Sequence, residues 1–150
     1  MADRLNQLLG KRSDLEQQGL IREMISVQLA IVAEVETTAR VPDLANAWNY
    51  LSELRRQVGD YANAEHAARK ALDVYASAPA PSAEALGCYQ FKLAQILAAQ
   101  RRFSEAVPIA EAGIRSYAAF HNPPDAFLIA RQEEAALMRE CSQREPGVTE

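Results

Sequence analysis

The chain has 150 residues, enough to bury the core of one domain without disulfide bonds. Hydrophobic residues make up 49% of the sequence and charged residues 24%, the formal net charge is −4, and the pI is about 5.3. This mildly acidic composition argues against a strongly basic nucleic-acid binder, so we expect no nucleic-acid partner.

Residues that carry chemistry are few in this sequence. Cys88 and Cys141 cannot make a disulfide framework, and His66 and His121 are too few for a conventional histidine metal cluster. Glycine-rich phosphate loops and the common hydrolase and metalloprotease motifs do not occur. We therefore predict no enzyme activity, no catalytic residue, no metal site and no cofactor. We also expect Cys88 to be buried and His66 to be structural or at the surface.

The sequence shows no segment with the pattern of a signal peptide or a membrane span. Its start carries the charged residues Asp3 and Arg4, and its longest apolar stretch, 27–35, is interrupted by Gln28 and Glu34. Two cysteines with no disulfide pattern suit a reducing compartment. We expect a cytoplasmic protein with no membrane partner, and the alanine and arginine content favours a bacterial source.

Hydrophobic residues recur at helical spacing along the whole chain. The first helical region spans 3–38, and a break at 17–19 would divide it into two antiparallel helices, while one bent helix is the alternative. Pro42 and Asp43 predict the start of the next helix, with Asp43 as its N-cap. That helix is expected to end near Gly59.

Four further helices follow, and most have a polar residue that predicts their start. Asp60 caps the first and Ser82 caps the second. The third is expected over 103–117. Segment 122–125 is the start signal of the last helix, with Asn122 as a cap before two prolines, and that helix is expected from about Ala126 to Cys141.

The predicted helices repeat with a spacing of about 40 residues. Four positions match between the second and third copies, at a distance of 42 residues: Tyr61 with Phe103, Ala64 with Ala106, Ala68 with Ala110, and Leu72 with Ile114. A weaker copy begins at Gly19. The large and small side chains alternate, as in closely packed helices. The expected packing positions are Trp48, Leu51, Gly59, Tyr61, Ala64, Leu72, Leu93, Phe103, Ala106 and Ile114.

These motifs resemble the tetratricopeptide repeat (TPR), in the longer-repeat branch typified by kinesin light chains. The resemblance rests on the Trp48-x-x-Leu51 helix and the Gly59-x-Tyr61-x-x-Ala64 turn and helix start. In the third copy, Arg101 replaces the turn glycine and Gln90 replaces the tryptophan. The resemblance implies an all-α fold in which antiparallel helical hairpins stack into a short right-handed superhelix. It also implies one domain over 1–142, with repeats at about 4–39, 43–78 and 82–119, a capping helix at 123–141 and a flexible tail at 143–150.

The resemblance also implies a binding groove, because in TPR proteins the first helix of each pair lines a concave surface where ligands usually bind. The residues expected there are Asn46, Asn49, Tyr50, Glu53, Arg56, Cys88, Phe91, Lys92 and Gln95, preceded by Leu9 and Ser13. Asparagine amides suit recognition of a peptide backbone, and Tyr50 and Phe91 would be apolar anchors. In the alternative, Tyr50 and Phe91 pack internally or against the last helix.

The function expected from this resemblance is a non-catalytic interaction module or adaptor that binds a partner peptide or helix of unknown identity. Lys92 lacks the basic neighbours of a carboxylate clamp, which argues against a binder of chaperone tails. An alternative is a self-associating assembly protein, a homodimer through the apolar segment 21–32 or through the last helix. A third is a regulatory sensor subunit that acts with a separate effector chain.

Overall fold

The computed structural model describes residues 2–38 and 40–145. These residues form α-helices and no strand, which confirms the predicted all-α class. The helices are α1 Ala2–Gln17, α2 Ile21–Thr38, α3 Val41–Gln57, α4 Tyr61–Ala76, α5 Ala83–Ala99, α6 Phe103–Ala118 and α7 Ala126–Arg144. The chain divides into two compact units, 1–79 and 80–150, here called unit 1 and unit 2. No helix in the described ranges is long and apolar enough to cross a membrane.

Unit 1 contains α1 to α4, and each helix packs against the next along the chain. The core of this unit consists of Val27, Ile31, Val32, Val35, Ala47, Leu51 and Ala67. Most of the apolar residues of α2 are therefore covered within the unit, although Leu29 remains 41% exposed. The broad apolar surface that the sequence assigns to this helix is explained by α2 packing against both α1 and α3.

Unit 2 contains α5, α6 and α7, with α6 packed against both of the others. Its largest fully buried side chains are Phe91, Leu93, Ile96, Leu97 and Leu128. The helices α5 and α6 approach closely at two glycines. A Cβ atom added to Gly87 would lie 2.8 Å from the carbonyl oxygen of Gly113, and one added to Gly113 would lie 3.0 Å from that of Gly87. This crossing requires residues without side chains.

Three helices end in the same type of turn, at equivalent positions of the repeat. Gly19, Gly59 and Arg101 have φ angles of 68°, 79° and 61°. Their amides donate to the carbonyl oxygens of Glu16, Arg56 and Ala98, and the next amide bonds five residues back in each case. This is the Schellman motif, which favours glycine at the left-handed position. The break expected at 17–19 is confirmed, and Arg101 keeps the turn without a glycine.

Helix starts agree with the sequence at two of the four expected caps. The carboxylate of Asp60 accepts a hydrogen bond from the Asn63 amide at 3.4 Å, and the Ser82 hydroxyl accepts one from the Ala85 amide at 3.3 Å. Both confirm the predicted N-caps, and each side chain satisfies an amide that the helix leaves unpaired.

The other two caps were placed wrongly. Helix α3 begins at Val41 with Arg40 as its N-cap residue, and Asp43 lies in the first turn, paired with Arg40 at 3.0 Å. Pro42 stands inside this turn because the first helical amides need no partner. Helix α7 begins at Ala126, capped by Asp125 rather than Asn122. A proline disfavours the helical conformation of the residue before it, so the two prolines delay the start.

The expected packing positions are buried to different extents. Leu51, Ala64, Leu93 and Ala106 are buried, whereas Trp48, Tyr61, Leu72, Phe103 and Ile114 are half-buried. Helix α7 continues to Arg144, so residues 143 and 144 are helical instead of part of a tail. Residue 39 and the rest of the expected tail, 146–150, lie outside the described residues. The arrangement as one domain of three repeats with a capping helix stays a prediction.

Candidate functional site

Unit 1 contains a groove with a volume of about 610 Å³, here called the unit 1 groove. Helix α2, which packs against both α1 and α3, lies between them. The lining side chains are Leu5, Leu9 and Arg12 of α1, Gln28, Ile31, Glu34 and Val35 of α2, and Arg40, Asp43, Asn46, Ala47 and Tyr50 at α3. About half of these residues are apolar, so the groove has an apolar surface with a few polar groups.

Most charges along the unit 1 groove are paired. Arg40 Nε lies 3.0 Å from Asp43 Oδ2, and Glu34 Oε2 lies 3.5 Å from Arg4 Nε. Arg12 differs, because no carboxylate in the described part of the chain lies within ion-pair distance of its guanidinium.

Arg12 is held by two neighbours that line the same groove. Its Nη1 donates a hydrogen bond to Gln28 Oε1 at 2.9 Å, and its guanidinium carbon lies 4.2 Å from the centre of the Tyr50 ring. Gln28 is completely buried, and its Nε2 donates to the Ala47 carbonyl oxygen at 2.9 Å. Both ends of a buried amide are thus satisfied, which fixes the Gln28 side chain and with it the position of Arg12.

Tyr50 borders the groove with a protonated hydroxyl. Burial raises its pKa above the ordinary value, Arg12 opposes this rise, and the carboxylate of Glu16 reinforces it. The hydroxyl donates to Glu16 Oε1 at 3.5 Å. The single hydroxyl proton is thus used by Glu16, and Tyr50 offers the groove mainly its aromatic ring.

The five groove residues expected on α3 have different environments. Asn46 is exposed and Tyr50 is half-buried, and both line the unit 1 groove. Asn49 is half-buried, and its Oδ1 is covered with no hydrogen-bond partner within the described residues. Glu53 and Arg56 bind each other through two contacts of 2.6 and 3.1 Å, which raise the pKa of Arg56. Their charges largely neutralise each other.

The four groove residues expected on α5 lie in unit 2, and two of the expectations about them are wrong. Phe91 is only 2% exposed and packs edge-on against Phe127 of α7 at 6.5 Å, so it follows the alternative of packing against the last helix. Cys88 is exposed rather than buried. Gln95 Nε2 donates to Glu134 of α7 at 2.8 Å, and Lys92 is half-buried. One groove lined by both α3 and α5 stays a prediction.

Unit 2 has a polar cluster that connects its three helices. His121 Nε2 lies 2.9 Å from Glu84 Oε1, and its Nδ1 lies 3.2 Å from Asp125 Oδ2. The ring stacks on Tyr117, whose hydroxyl donates to Asp125 at 3.0 Å. Burial and this hydrogen bond raise the pKa of Tyr117 to about 12. Every member has a partner, so we interpret the cluster as structural.

Asp125 has an unusually acidic carboxyl group in this cluster. The amide of Leu128 donates to it at 2.8 Å and is the main cause of its lowered pKa, while burial opposes the shift and Tyr117 and His121 support it.

The remaining reactive residues show no arrangement for catalysis or metal binding. Although Cys88 is exposed as a residue, partial desolvation of its thiol raises the pKa of that group and Glu84 adds to this effect, so the thiol stays protonated near neutral pH. Cys141 is a second free thiol. His66 is exposed and meets Trp48 edge-on at 6.1 Å. Over residues 2–38 and 40–145, no group of three or more histidine, cysteine or acidic side chains could hold a metal ion.

Sequence reasoning missed Arg12 and Gln28 as groove residues. A signal for Gln28 was present, because it is a polar residue inside the apolar stretch 27–35. Arg12 had none, since a single arginine on a polar helix is common and only the packing of α1 against α2 brings it to Gln28.

Comparisons with known proteins place the chain in a family. The model of the tetratricopeptide repeat matches residues 43–119, just over half of the chain. A solved structure of a Q17M form of a Podosopora anserina protein, described as a kinesin light chain with nearly identical TPR-like repeats, is similar with a TM-score of 0.79 and 19% identity over 94% of this chain and 68% of that one. The structure of that protein without the Q17M label gives a TM-score of 0.79 and 18% identity over 96% of this chain and 69% of that one. No curated protein is significantly similar in sequence. The chain belongs to the tetratricopeptide repeat family.

Proposed function

We propose that this protein is a non-catalytic interaction module that binds a partner peptide or helix in the unit 1 groove. Tetratricopeptide repeats generally mediate protein–protein interaction. The observation that carries the proposal is the groove itself, with a volume of about 610 Å³ and an apolar lining around a few polar groups. Binding sites commonly combine such volumes with apolar walls and a few directed polar side chains.

Preorganisation is the mechanism that supports binding here. Gln28 is fully buried and holds Arg12, and Arg12 in turn stacks on Tyr50. These side chains lose little conformational freedom when a partner arrives, so a larger share of the contact energy remains as affinity. Tyr50 serves as the aromatic anchor, and Asn46 can contact the partner's backbone. Phe91 has no part in this proposal because it is buried in unit 2.

Self-association through α7 is the second candidate function. Ile129 and Leu137 of this helix are 47% and 61% exposed, and a symmetric contact between two copies would cover them. Segment 21–32 supports this candidate less, because α1 and α3 already cover most of it. We place each of these functions in the cytoplasm, where the two free thiols would remain reduced.

The test of groove binding is capture from cell lysate with three forms of the protein. Asn46→Trp places a large ring in the groove from an exposed helical position, and Asn6→Trp places the same ring on an exposed position of α1 that does not line the groove. Circular dichroism checks that all three are folded. We expect a partner that wild type and Asn6→Trp capture and that Asn46→Trp does not.

A partner retained by folded Asn46→Trp would contradict groove binding.

Sedimentation of the wild type over a range of concentrations tests the second candidate, self-association through α7. Self-association predicts a mass that rises with concentration in the wild type and stays at the monomer value in Leu137→Glu. A constant monomer mass would exclude self-association in that range.

A further inference from the structure

The charges of the unit 1 groove indicate the chemistry of its partner. Four charged side chains line it, namely Arg12, Glu34, Arg40 and Asp43. Glu34 is paired with Arg4, and Arg40 is paired with Asp43. Within the described ranges Arg12 has no ion pair, so it is the charged lining residue that remains available to a carboxylate of the partner.

The structure holds this positive charge in a defined position. Gln28 is buried in an otherwise apolar part of α2 and uses one end of its amide for the Ala47 carbonyl and the other for Arg12. A guanidinium has five N–H donors, and in the described residues only Nη1 of Arg12 makes a hydrogen bond. The stacked Tyr50 ring, 4.2 Å away, limits the motion of the group further.

We propose that the unit 1 groove selects a peptide segment in which one aspartate or glutamate is flanked by apolar residues, and that Arg12 is the specificity-determining residue. This proposal rests on the proposed function and names the partner's chemistry. The carboxylate binds the free edge of the guanidinium through two parallel hydrogen bonds, while the apolar neighbours contact Leu9 and Ile31. An uncharged partner would leave Arg12 partly desolvated and unpaired, which disfavours it.

The acidic group belongs to a side chain inside the segment rather than to a chain end. Tyr50 lines both the unit 1 groove and a second cavity of about 400 Å³. Glu16 and Glu53 line that second cavity. Glu53 is paired with Arg56, but a terminal carboxylate that ended near Glu16 would be repelled by its negative charge, whereas an uncharged continuation of the peptide would not.

The test uses a displayed library of random peptides whose two ends are both joined to constant linkers. Wild-type protein selects binders, which are then synthesised with blocked ends and measured by fluorescence anisotropy. We expect most selected peptides to contain an aspartate or glutamate between apolar residues. Arg12→Gln is expected to weaken their binding by about 10- to 100-fold, the range for hydrogen bonds to a charged group.

Lys11→Gln is the matched control, because it removes the same charge from the neighbouring exposed position, which does not line the groove. Its affinity is expected to equal that of the wild type. Replacing the acidic residue of the peptide by its amide is expected to weaken wild-type binding as strongly as Arg12→Gln does, and to cause no further loss in that variant.

Selected peptides without acidic residues, or an unchanged affinity of folded Arg12→Gln, would overturn the proposal. If a second library with free C-termini yields binders and the linker-flanked library yields none, the side-chain assignment is overturned. If the selected sequences all match segments of this chain, the partner is a second copy. The Asn46→Trp variant distinguishes a wrong role for Arg12 from a wrong choice of groove. If it abolishes binding while Arg12→Gln does not, the groove is the site and Arg12 is not its selector. If binding survives Asn46→Trp, the groove assignment itself is wrong.

Discussion

The close approach of α5 and α6 predicts the effect of adding a single methyl group. In Gly87→Ala the new Cβ would lie 2.8 Å from the Gly113 carbonyl oxygen and 3.2 Å from the Tyr117 backbone nitrogen. Both are backbone atoms, so the contact is relieved only if the two helices separate. Overpacking of this kind costs about 1–3 kcal/mol. Alanine in a helix recovers about 0.5–1 kcal/mol relative to glycine, so we expect a net loss between about 0 and 2.5 kcal/mol.

Urea unfolding followed by far-ultraviolet circular dichroism measures this loss. Trp48, the sole tryptophan, lies in unit 1, so its fluorescence is not the right probe for a change in unit 2. Gly10→Ala is the matched control, because Gly10 lies in α1 with nothing within 4 Å of an added Cβ. That change is expected to stabilise the protein by about 0.5–1 kcal/mol. If Gly87→Ala is as stabilising as Gly10→Ala, the helices are not in contact at this glycine.

Three further predictions concern a turn, the core and pH. Arg101→Gly is expected to raise the free energy of unfolding by about 1 kcal/mol, because the residue has a φ of 61°. Phe91→Ala is expected to lower the free energy of unfolding by about 3–5 kcal/mol, because it leaves an internal cavity. Replacing the exposed Phe120 by alanine is expected to change that free energy by less than about 0.5 kcal/mol. Urea unfolding measures all three variants. The Leu128 amide lowers the pKa of Asp125 in the folded state. The ionised carboxylate therefore stabilises the fold fully above about pH 4, the ordinary pKa of an aspartate in the unfolded chain. This stabilisation disappears as the pH falls through the lower pKa of the folded state. Acid unfolding of Asp125→Asn is therefore expected to be less steep in that window than that of the wild type.

Each of these predictions has a result that contradicts it. A neutral or destabilising Arg101→Gly would mean that the arginine side chain stabilises the turn more than its backbone strain destabilises it. Equal losses for the two phenylalanine variants would show that Phe91 is not a core residue. Identical acid unfolding of wild type and Asp125→Asn would mean that the Asp125 pKa is the same in the folded and unfolded states.

The sequence predicted a helix start correctly where one short polar side chain caps the helix by itself. Asp60 and Ser82 satisfy amides of their own helices, and such contacts span only three residues. Asp43 was misplaced because aspartate is a residue type that is common at N-caps. The extended backbone at Arg40 and the position of Pro42 decide where α3 starts. Asn122 was misplaced for a related reason, since the prolines that follow it move the start to Asp125.

The binding site was less predictable than the helices. Tyr50 and Asn46 were found because the repeat pattern indicates which helix of each pair lines a groove, and both line the unit 1 groove. Phe91 lies on the corresponding helix of the next copy, 42 residues after Asn49, but it is covered by Phe127 and by the crossing of α5 and α6. Helical spacing indicates the side of a helix on which a residue lies, and does not indicate whether another helix covers that side.

The amino-acid sequence by itself determined the all-α class, the spacing of the repeat, and the turns at Gly19 and Gly59, because helix periodicity and left-handed turns depend on residues close together in the chain. Only the tertiary structure decided that Phe91 is in the core and that Gly87 meets Gly113. It also brought Arg12 to Gln28, sixteen residues away, and to Tyr50 on a third helix. Such contacts arise from the packing of separate helices, and apart from Gln28, a polar residue in an apolar stretch, their residues carry no mark of it in the local sequence.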